Sequence, residues 1–139
     1  MQAMEISRTG LDVEWRRLEV IAQNLANANS SSRPGTEGYR ALQLVSGPRF
    51  ADHLGGGGSG RLGGVQVYGV EPSAAAPRRV HEPGNPNADA DGYVTYPGVD
   101  HAGEMTLMVT TSRAYEANVV AMNTARQMYM KALDLGRGS

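Results

Sequence analysis

The chain has 139 residues, a formal net charge of -1 and no cysteine. This length suits one domain, and a nearly neutral chain offers no overall electrostatic attraction to nucleic acid or to an anionic membrane. Without cysteine, disulfides, thiolate zinc sites and cysteine nucleophiles are excluded. The 18 glycines and 7 prolines, together with only 6% aromatic residues, predict a small hydrophobic core.

The first predicted element is a helix over residues 3–27. Apolar residues recur in it at helical spacing, as Met4, Leu11, Trp15, Leu18 and Leu25. Because charged residues occupy the opposite face, this narrow stripe must be buried against helical partners. Charges interrupt every apolar run, so neither a cleavable signal peptide nor a membrane-spanning segment is expected. The chain is expected to stay in the cytosol or to be exported without signal cleavage.

The middle of the chain is predicted to be non-helical. Residues 31–64 form a loop rich in Gly, Ser and Pro, with a short extended piece at 39–45 and a flexible tract that begins with Gly55–Gly58. No Gly-Lys-Ser/Thr follows this tract, which excludes a phosphate-binding loop. Residues 65–99 form a small β module. Alternating apolar residues bounded by Pro or Gly predict its strands at 65–70, 79–81 and 93–96.

A second helix is predicted over residues 102–135, with Asp100 as its N-cap and Gly136 as the residue that ends it. Its apolar stripe follows a three-four spacing through Met105, Met108, Tyr115, Val119, Met122, Tyr129 and Leu133. At ~1.5 Å per residue the first helix spans about 35–40 Å and the second about 50 Å. A small β module cannot cover both, so much of the apolar seam must be buried between the helices and against neighbouring subunits.

The predicted fold class is therefore α+β. Two long terminal α-helices form a coiled-coil-like pair, with a small β-rich, Gly-rich domain inserted between them. The predicted segments are an N-terminal helix (1–30), a loop (31–64), the β module (65–99) and a C-terminal helix (100–139).

Asn87–Gly92 matches the opening of a calcium loop, but position twelve is Gly98, where a bidentate glutamate is required. The segment is therefore interpreted as a turn whose Asp and Asn side chains bond to their own backbone. The three histidines lie far apart in sequence and are interpreted as exposed or capping residues. No nucleophile elbow is present.

Five asparagines leave two interpretations open. They either set the register between helices, as buried amides do in coiled coils, or are ordinary amides of helix ends and surfaces. These residues are Asn24, Asn27 and Asn29 at the end of the first helix and Asn118 and Asn123 in the second. Arg126 falls on the seam of the second helix. A charge at that position requires an internal partner or a place at the rim of the seam.

Several separated motifs resemble the axial proteins of the bacterial flagellar rod and hook. In the N-terminal part they are Ala3-Met4-Glu5-Ile6-Ser7, Gly10-Leu11 and Asn24-Leu25-Ala26-Asn27-Ala28-Asn29. In the C-terminal part they are Asp89-Ala90-Asp91-Gly92-Tyr93-Val94 with Tyr96-Pro97, Ser112-Arg113-Ala114-Tyr115-Glu116-Ala117-Asn118, and Lys131-Ala132-Leu133-Asp134-Leu135-Gly136-Arg137. The closer similarity is to proximal rod proteins, and it covers nearly the whole chain apart from about residues 41–62.

The resemblance implies a non-enzymatic, structural subunit whose terminal helices pack as a coiled-coil layer around the axial export channel and transmit torque. Expected partners are further copies of the chain, other proximal and distal rod proteins, and export-gate and membrane-ring components. No cofactor, metal, nucleic acid or small-molecule substrate is expected. The expected location is the basal body in the periplasmic space, reached by type III export without a cleaved signal peptide. The alternatives are another rod or hook protein and a small calcium-binding module.

The predicted assembly interface combines apolar and amide side chains of both helices. Its residues are Met4, Leu11, Trp15, Leu18, Leu25, Asn27, Met108, Tyr115, Asn118, Val119, Met122, Tyr129 and Leu133.

Overall fold

The structure, a computed structural model, describes residues 2–49 and 63–137. Its elements in chain order are α1 (Gln2–Asn27), β1 (Leu42–Pro48), β2 (Val65–Pro72), β3 (Arg78–His81), β4 (Tyr93–Tyr96) and α2 (His101–Arg137). This order confirms the predicted α+β class, with a helix at each end and small antiparallel sheets between them. The predicted flexible tract at Gly55–Gly58 lies outside the described residues.

The two helices pack against each other and run antiparallel. Three close pairs join them, at Asn24–Glu104, Trp15–Tyr115 and Gly10–Asn118. In each pair the residue numbers add to 128 or 130, so Gln2 lies level with about residues 126 to 128 of α2. Because α2 has 37 residues and α1 has 26, residues 127–137 extend past the described start of α1. We call this segment the overhang.

The chain's own core uses a different face of α1 from the predicted apolar stripe. The buried positions of α1 are Thr9, Val13, Val20, Ile21 and Asn24. At about 100° per residue these positions centre on the side of the helix opposite Trp15. α1 contacts α2 and, in addition, the two strands β1 and β2. The core therefore lies along one side of α1, while the predicted stripe is only partly covered within the chain.

The strands form two separate hairpins, whereas one β module was predicted. β1 pairs antiparallel with β2, from Leu42 opposite Pro72 to Pro48 opposite Val65, with an irregularity after Val45. β3 pairs antiparallel with β4. β1 overlaps the short extended piece predicted at 39–45 within the loop, but it begins at Leu42 and continues through Gly47 to Pro48. Pro48 is tolerated as the last residue of the strand, where a missing N–H donor costs little.

The two ends of α2 differ in how well the sequence predicted them. Asp100 is the N-cap, as predicted: its Oδ1 accepts the Gly103 N–H at 3.1 Å. The prediction that Gly136 ends the helix is wrong, since α2 continues through it to Arg137. Glycine can occupy helical φ at a cost of about 1 kcal/mol relative to alanine, so it does not have to end a helix. No helix in the described ranges is long and apolar enough to cross a membrane.

Candidate assembly surface

Four parts of the chain meet at the Asn24 side chain, which is 1% exposed. Its Nδ2 donates to the Leu42 carbonyl at 2.8 Å and to Glu104 Oε1 at 3.0 Å. Its Oδ1 accepts from the Tyr39 hydroxyl and from the Leu42 N–H, both at 2.8 Å. The amide thus makes all four hydrogen bonds available to it. For Asn24 the register-setting interpretation is supported, because it ties α1 to α2 and to β1.

The carboxyl group of Glu104 is held in an unfavourable environment for a charge. Burial raises the pKa of Glu104, the hydrogen bond from Asn24 opposes this shift, and the nearby Asp100 carboxylate adds to it. Burial also raises the pKa of the Tyr39 phenol, with a smaller contribution from Glu104. Glu104 Oε2 is buried without a hydrogen-bond partner among the described residues. The Asn24 cluster, formed by Asn24, Tyr39, Leu42 and Glu104, is therefore well hydrogen-bonded except at Glu104 Oε2, where a buried negative charge has no hydrogen-bond donor.

Asn27 and Asn118 behave differently from Asn24. Asn27 is half-buried and donates to the Gln23 carbonyl at 2.9 Å, which is the role of an ordinary helix-end amide. Asn118 donates to the Ala114 carbonyl at 3.0 Å and fills the space beside Gly10. A Cβ added to Gly10 would lie 2.8 Å from Asn118 Oδ1, so a larger residue at this position would displace the Asn118 amide.

The predicted apolar residues of α1 lie at the molecular surface. Met4, Leu11, Leu18 and Leu25 are half-buried, and Trp15 is 57% exposed. We call these five residues the α1 stripe. The Trp15 and Tyr115 rings touch with centroids 6.3 Å apart, so one edge of the stripe borders α2. The remaining surface of the Trp15 ring faces outward and is available to a second protein.

On α2 the residues that α1 covers form a regular apolar seam, and the same spacing of apolar residues continues beyond the part that α1 covers. Residues Met108, Thr111, Tyr115, Asn118 and Met122 alternate spacings of three and four and are buried or half-buried, as is the adjacent Val119. Thr111, which is 2% exposed, was not predicted to belong to this seam, although its position between Met108 and Tyr115 was a usable signal. Among the described elements, α1 alone packs on α2.

The overhang carries the same seam without a cover. Tyr129 and Leu133 continue the helical spacing but are 40% and 44% exposed. Met128, Met130 and Leu135 add further exposed apolar surface. Arg126 is exposed at the level where α1 begins, which agrees with the rim interpretation. The structure thus separates the predicted interface residues into a group that is covered within the chain and a group that is exposed.

The segment Asn87–Gly92 is a turn, as predicted. Asp89 Oδ1 accepts the backbone N–H groups of Asp91 at 3.1 Å and Tyr93 at 2.8 Å. Its Oδ2 accepts from Arg79 at 2.5 Å. The bond from the Tyr93 N–H is the main cause that lowers the pKa of Asp89. Since both oxygens are engaged within the chain, the geometry does not favour a calcium site here.

Gly92 lets the turn close onto β4. Its φ is +79°, a left-handed conformation that L side chains rarely adopt. Within the described residues, no group of three or more His, Asp or Glu side chains is placed to hold a metal ion.

Comparison with known proteins agrees with the resemblance found in the sequence. Residues 90–135 match a family model described as the C-terminal region of the flagellar basal body rod FlgEFG proteins. The chain is 42% identical to the FlgC proteins of Escherichia coli O157:H7 and Salmonella typhimurium strain LT2, over 137 residues that cover 99% of this chain and 98% of each relative. It is 36% identical to FlgC of Bacillus subtilis strain 168 over 146 residues, covering 97% of both chains.

These relatives are named flagellar basal-body rod proteins, so the half-covered terminal helices are those of an axial protein of the flagellum. The chain belongs to the FlgC family of flagellar basal-body rod proteins. The resemblance seen in its separated motifs is confirmed.

Proposed function

We propose that the chain is a non-enzymatic, structural subunit of the proximal rod of the flagellar basal body, which assembles through its two terminal helices. The observation that carries this proposal is the apolar surface that a single chain leaves uncovered. The α1 stripe and the overhang both present large apolar side chains to solvent. Exposed apolar surface arranged along helices is typical of protein–protein contacts.

The small core of the chain supports the same conclusion. Within residues 2–49 and 63–137 the buried apolar residues are few and mostly small: Val13, Val20, Ile21, Ala28, Ala41 and Val94. A chain of this size buries a limited fraction of its surface by folding alone. Each Å² of apolar area covered by a neighbour contributes roughly 25 cal/mol. Assembly would therefore supply stability that the single chain lacks.

In the proposed rod, helices of neighbouring subunits pack side by side as a coiled-coil layer around the axial channel, and the β hairpins lie outside this layer. Such a tube resists torsion, because each helix is held along its length by apolar contacts, and it can transmit torque. The expected neighbours are further copies of this chain, other proximal and distal rod proteins, and export-gate and membrane-ring components. The family membership supports a place in the basal body. We propose further that this place is in the periplasmic space, after export without signal cleavage.

The proposal is tested by complementing a strain that lacks this chain. Trp15→Asp places a carboxylate in the centre of the α1 stripe. We expect swimming, hook and filament to be lost while earlier basal structures remain, since burying an unpaired charge is strongly unfavourable. Because Trp15 is 57% exposed, the single chain should still fold, which circular dichroism of the purified variant would verify.

Gln23→Asp is the matched control, because Gln23 is exposed on the same helix and lies outside the stripe. A strain carrying it should swim normally. The double variant Leu18→Asp with Leu25→Asp extends the test along the stripe. Normal swimming with Trp15→Asp and with the double variant would contradict assembly through the α1 stripe.

A further inference from the structure

A groove lies between the loop at residues 30–40 and the hairpin of β3 and β4. Its volume of about 430 Å³ falls within the range of about 300–1,000 Å³ that is typical of ligand sites. Arg79 lies opposite Thr95 in the hairpin, and His81 lies opposite Tyr93, so these four side chains share one face. Three of the four, Arg79, Tyr93 and Thr95, line the groove. The groove is therefore a surface separate from the α1 stripe and from the overhang.

Three of the chain's six tyrosines line this groove, and two of them are fixed by their hydroxyl groups. The Tyr39 hydroxyl donates to Asn24 Oδ1 at 2.8 Å, and the Tyr96 hydroxyl donates to Glu82 Oε2 at 2.9 Å. Rings that are already held in place lose little freedom when a ligand packs on them. The walls of the groove are thus arranged before anything binds.

The third tyrosine, Tyr93, is 39% exposed and is held by a cation. The Arg79 guanidinium carbon lies 4.7 Å from the centre of the Tyr93 ring, and Arg79 also donates to Asp89 Oδ2 at 2.5 Å. Because Asp89 neutralises Arg79, the hairpin side of the groove offers an aromatic surface with little net charge.

The loop side of the groove carries the remaining charges. Arg33 and Arg40 are exposed and line the groove, as does Glu37. Neither arginine takes part in an ion pair in the part of the chain that the structure describes. Three arginines against Glu37 and Asp89 give the lining a net charge of +1. A ligand with one carboxylate would balance this charge.

The backbone of the loop also has free hydrogen-bonding groups beside the groove. A turn ends where the Thr36 N–H donates to the Arg33 carbonyl at 3.1 Å. Residues 37–40 follow this turn, line the groove and lead toward β1. Across residues 2–49 and 63–137, their N–H and C=O groups make no hydrogen bond with other backbone groups. Consecutive free backbone groups can pair with a peptide in an extended conformation, as an open strand edge does.

We propose that this groove binds an extended segment of another protein that carries one Asp or Glu side chain. The backbone of the segment pairs with residues 37–40, its carboxylate meets Arg33 and Arg40, and a neighbouring apolar side chain packs on the Tyr93 ring. An inorganic anion would use the arginines alone, whereas a peptide uses all three features of the groove. The inference goes beyond the proposed function, because the contact involves neither terminal helix.

Selection from a phage-displayed library of random eight-residue peptides on the purified full chain tests this proposal. The library is first depleted on the double variant Arg33→Gln with Arg40→Gln. This variant keeps the α1 stripe and the overhang, so depletion removes the peptides that bind there. Both arginines are exposed, so the variant should fold, which circular dichroism verifies. We expect surviving peptides that carry Asp or Glu. If no peptide survives, or if the survivors lack a carboxylate, the proposal is wrong.

Depletion on Arg113→Gln is the matched control. Arg113 is exposed on α2 and does not line the groove, so this variant should also capture the groove-binding peptides. Survivors that are equally abundant after the two depletions would show that the selection does not report on the groove, which would overturn the proposal.

Fluorescence anisotropy of a selected peptide, synthesised with a fluorescent label, tests the role of its carboxylate. Its affinity for the Arg33→Gln, Arg40→Gln variant should be about 2- to 30-fold lower than for the natural chain, the range expected for two exposed ion pairs. Exchanging the acidic residue of the peptide for its amide should weaken binding to the natural chain by a similar factor. The same exchange should have little effect on the double variant. Equal effects on both proteins would show that the carboxylate does not meet these arginines.

Tyr93→Ser tests the aromatic wall and should weaken binding about 5-fold or more, since it removes the apolar area on which the peptide packs. Tyr129→Ser is the control, because Tyr129 is 40% exposed on α2, against 39% for Tyr93. Equal binding by the two variants would contradict a role for Tyr93.

Amide hydrogen exchange, followed by NMR, tests the backbone pairing. Saturation with the peptide should slow exchange of at least one amide among Gly38, Tyr39 and Arg40 and leave Gly84, in the exposed turn between β3 and β4, unchanged. Unchanged exchange throughout residues 37–40 would rule out the proposed mode of binding. These measurements use the purified chain, so their outcome does not depend on whether the chain assembles into a rod.

Discussion

The two ends of the helix pair are built on opposite principles. At one end Asn24 joins α1, α2 and β1 through an amide whose four hydrogen bonds are all made inside the chain. At the other end α2 extends alone, and its apolar side chains are exposed. The difference shows where the chain satisfies its own side chains and where it leaves apolar surface exposed. Changes at the first end should act on folding, and changes at the second end on assembly.

The largest effect is expected from removing the Asn24 amide. Asn24→Ala would leave the Tyr39 hydroxyl and both backbone groups of Leu42 without their partners. Each buried polar group left unsatisfied costs about 1–3 kcal/mol, so the free energy of unfolding should fall by about 3 kcal/mol or more. Urea denaturation of the purified chain, followed by circular dichroism, measures this change.

Asn27→Ala is the control for this experiment. It removes the same side chain one turn further along α1, where the amide bonds only to the exposed end of its own helix. The free energy of unfolding should change by less than about 0.5 kcal/mol. Equal losses for the two variants would mean that the Asn24 cluster is not a special point of the fold.

A second prediction contrasts the core with the overhang through two apolar truncations. Ile21 is 1% exposed, and Ile21→Ala should lower the free energy of unfolding by about 2–4 kcal/mol, as for other core truncations. Leu133→Ala should change it by less than about 0.5 kcal/mol, since this side chain is exposed in the single chain. In cells the effects of the two variants should be more alike, because Leu133→Ala should also reduce the number of assembled basal bodies. A large loss of monomer stability from Leu133→Ala would show that the overhang is packed within the chain.

The positions of the helices and of three strands followed from local patterns in the sequence. The helical spacing of apolar residues and the Asp100 cap predicted α1 and α2 to within two residues at each end. Segments of alternating apolar and polar residues, bounded by Pro or Gly, predicted β2, β3 and β4. β1 was predicted only as a short extended piece at 39–45 within a loop, because a strand that contains a glycine and ends in a proline gains its order from pairing with β2. That pairing is a long-range contact and leaves little trace in the local pattern.

The candidate surface was predictable as a set of residues but not as an arrangement. The apolar spacing of α1 gave the stripe around Trp15, yet the chain's own core uses Thr9, Val13 and Ile21 on another face. Which of two faces a helix turns inward depends on the strands that pack against it. The role of Asn24 was likewise undecided in the sequence, since its partners Leu42 and Glu104 lie 18 and 80 residues away.

The smallest predicted effect concerns Glu104, the one imperfect group at the well-bonded end. Because burial raises its pKa in the folded chain, folding favours the protonated form. Its contribution to stability is therefore present at low pH and is lost as the pH rises from the ordinary value of 4.5 through the raised folded pKa. Glu104→Gln remains neutral throughout and retains an oxygen that can accept from Asn24. It should be slightly more stable than the natural chain at pH 7, by less than about 1 kcal/mol because solvent screens a partly exposed group.

The pH dependence distinguishes this electrostatic effect from a packing effect. The stability difference between Glu104→Gln and the natural chain should shrink as the pH falls to 4, because the natural carboxyl is then largely protonated. Urea denaturation at pH 4, 5.5 and 7 measures the trend. Glu116→Gln provides the control, since Glu116 is exposed on the same helix and its replacement should give no such trend. If the Glu104→Gln difference is the same at all three values, the buried oxygen Oε2 is compensated in solution. The Asn24 end would then be as free of electrostatic penalty as its hydrogen bonds suggest.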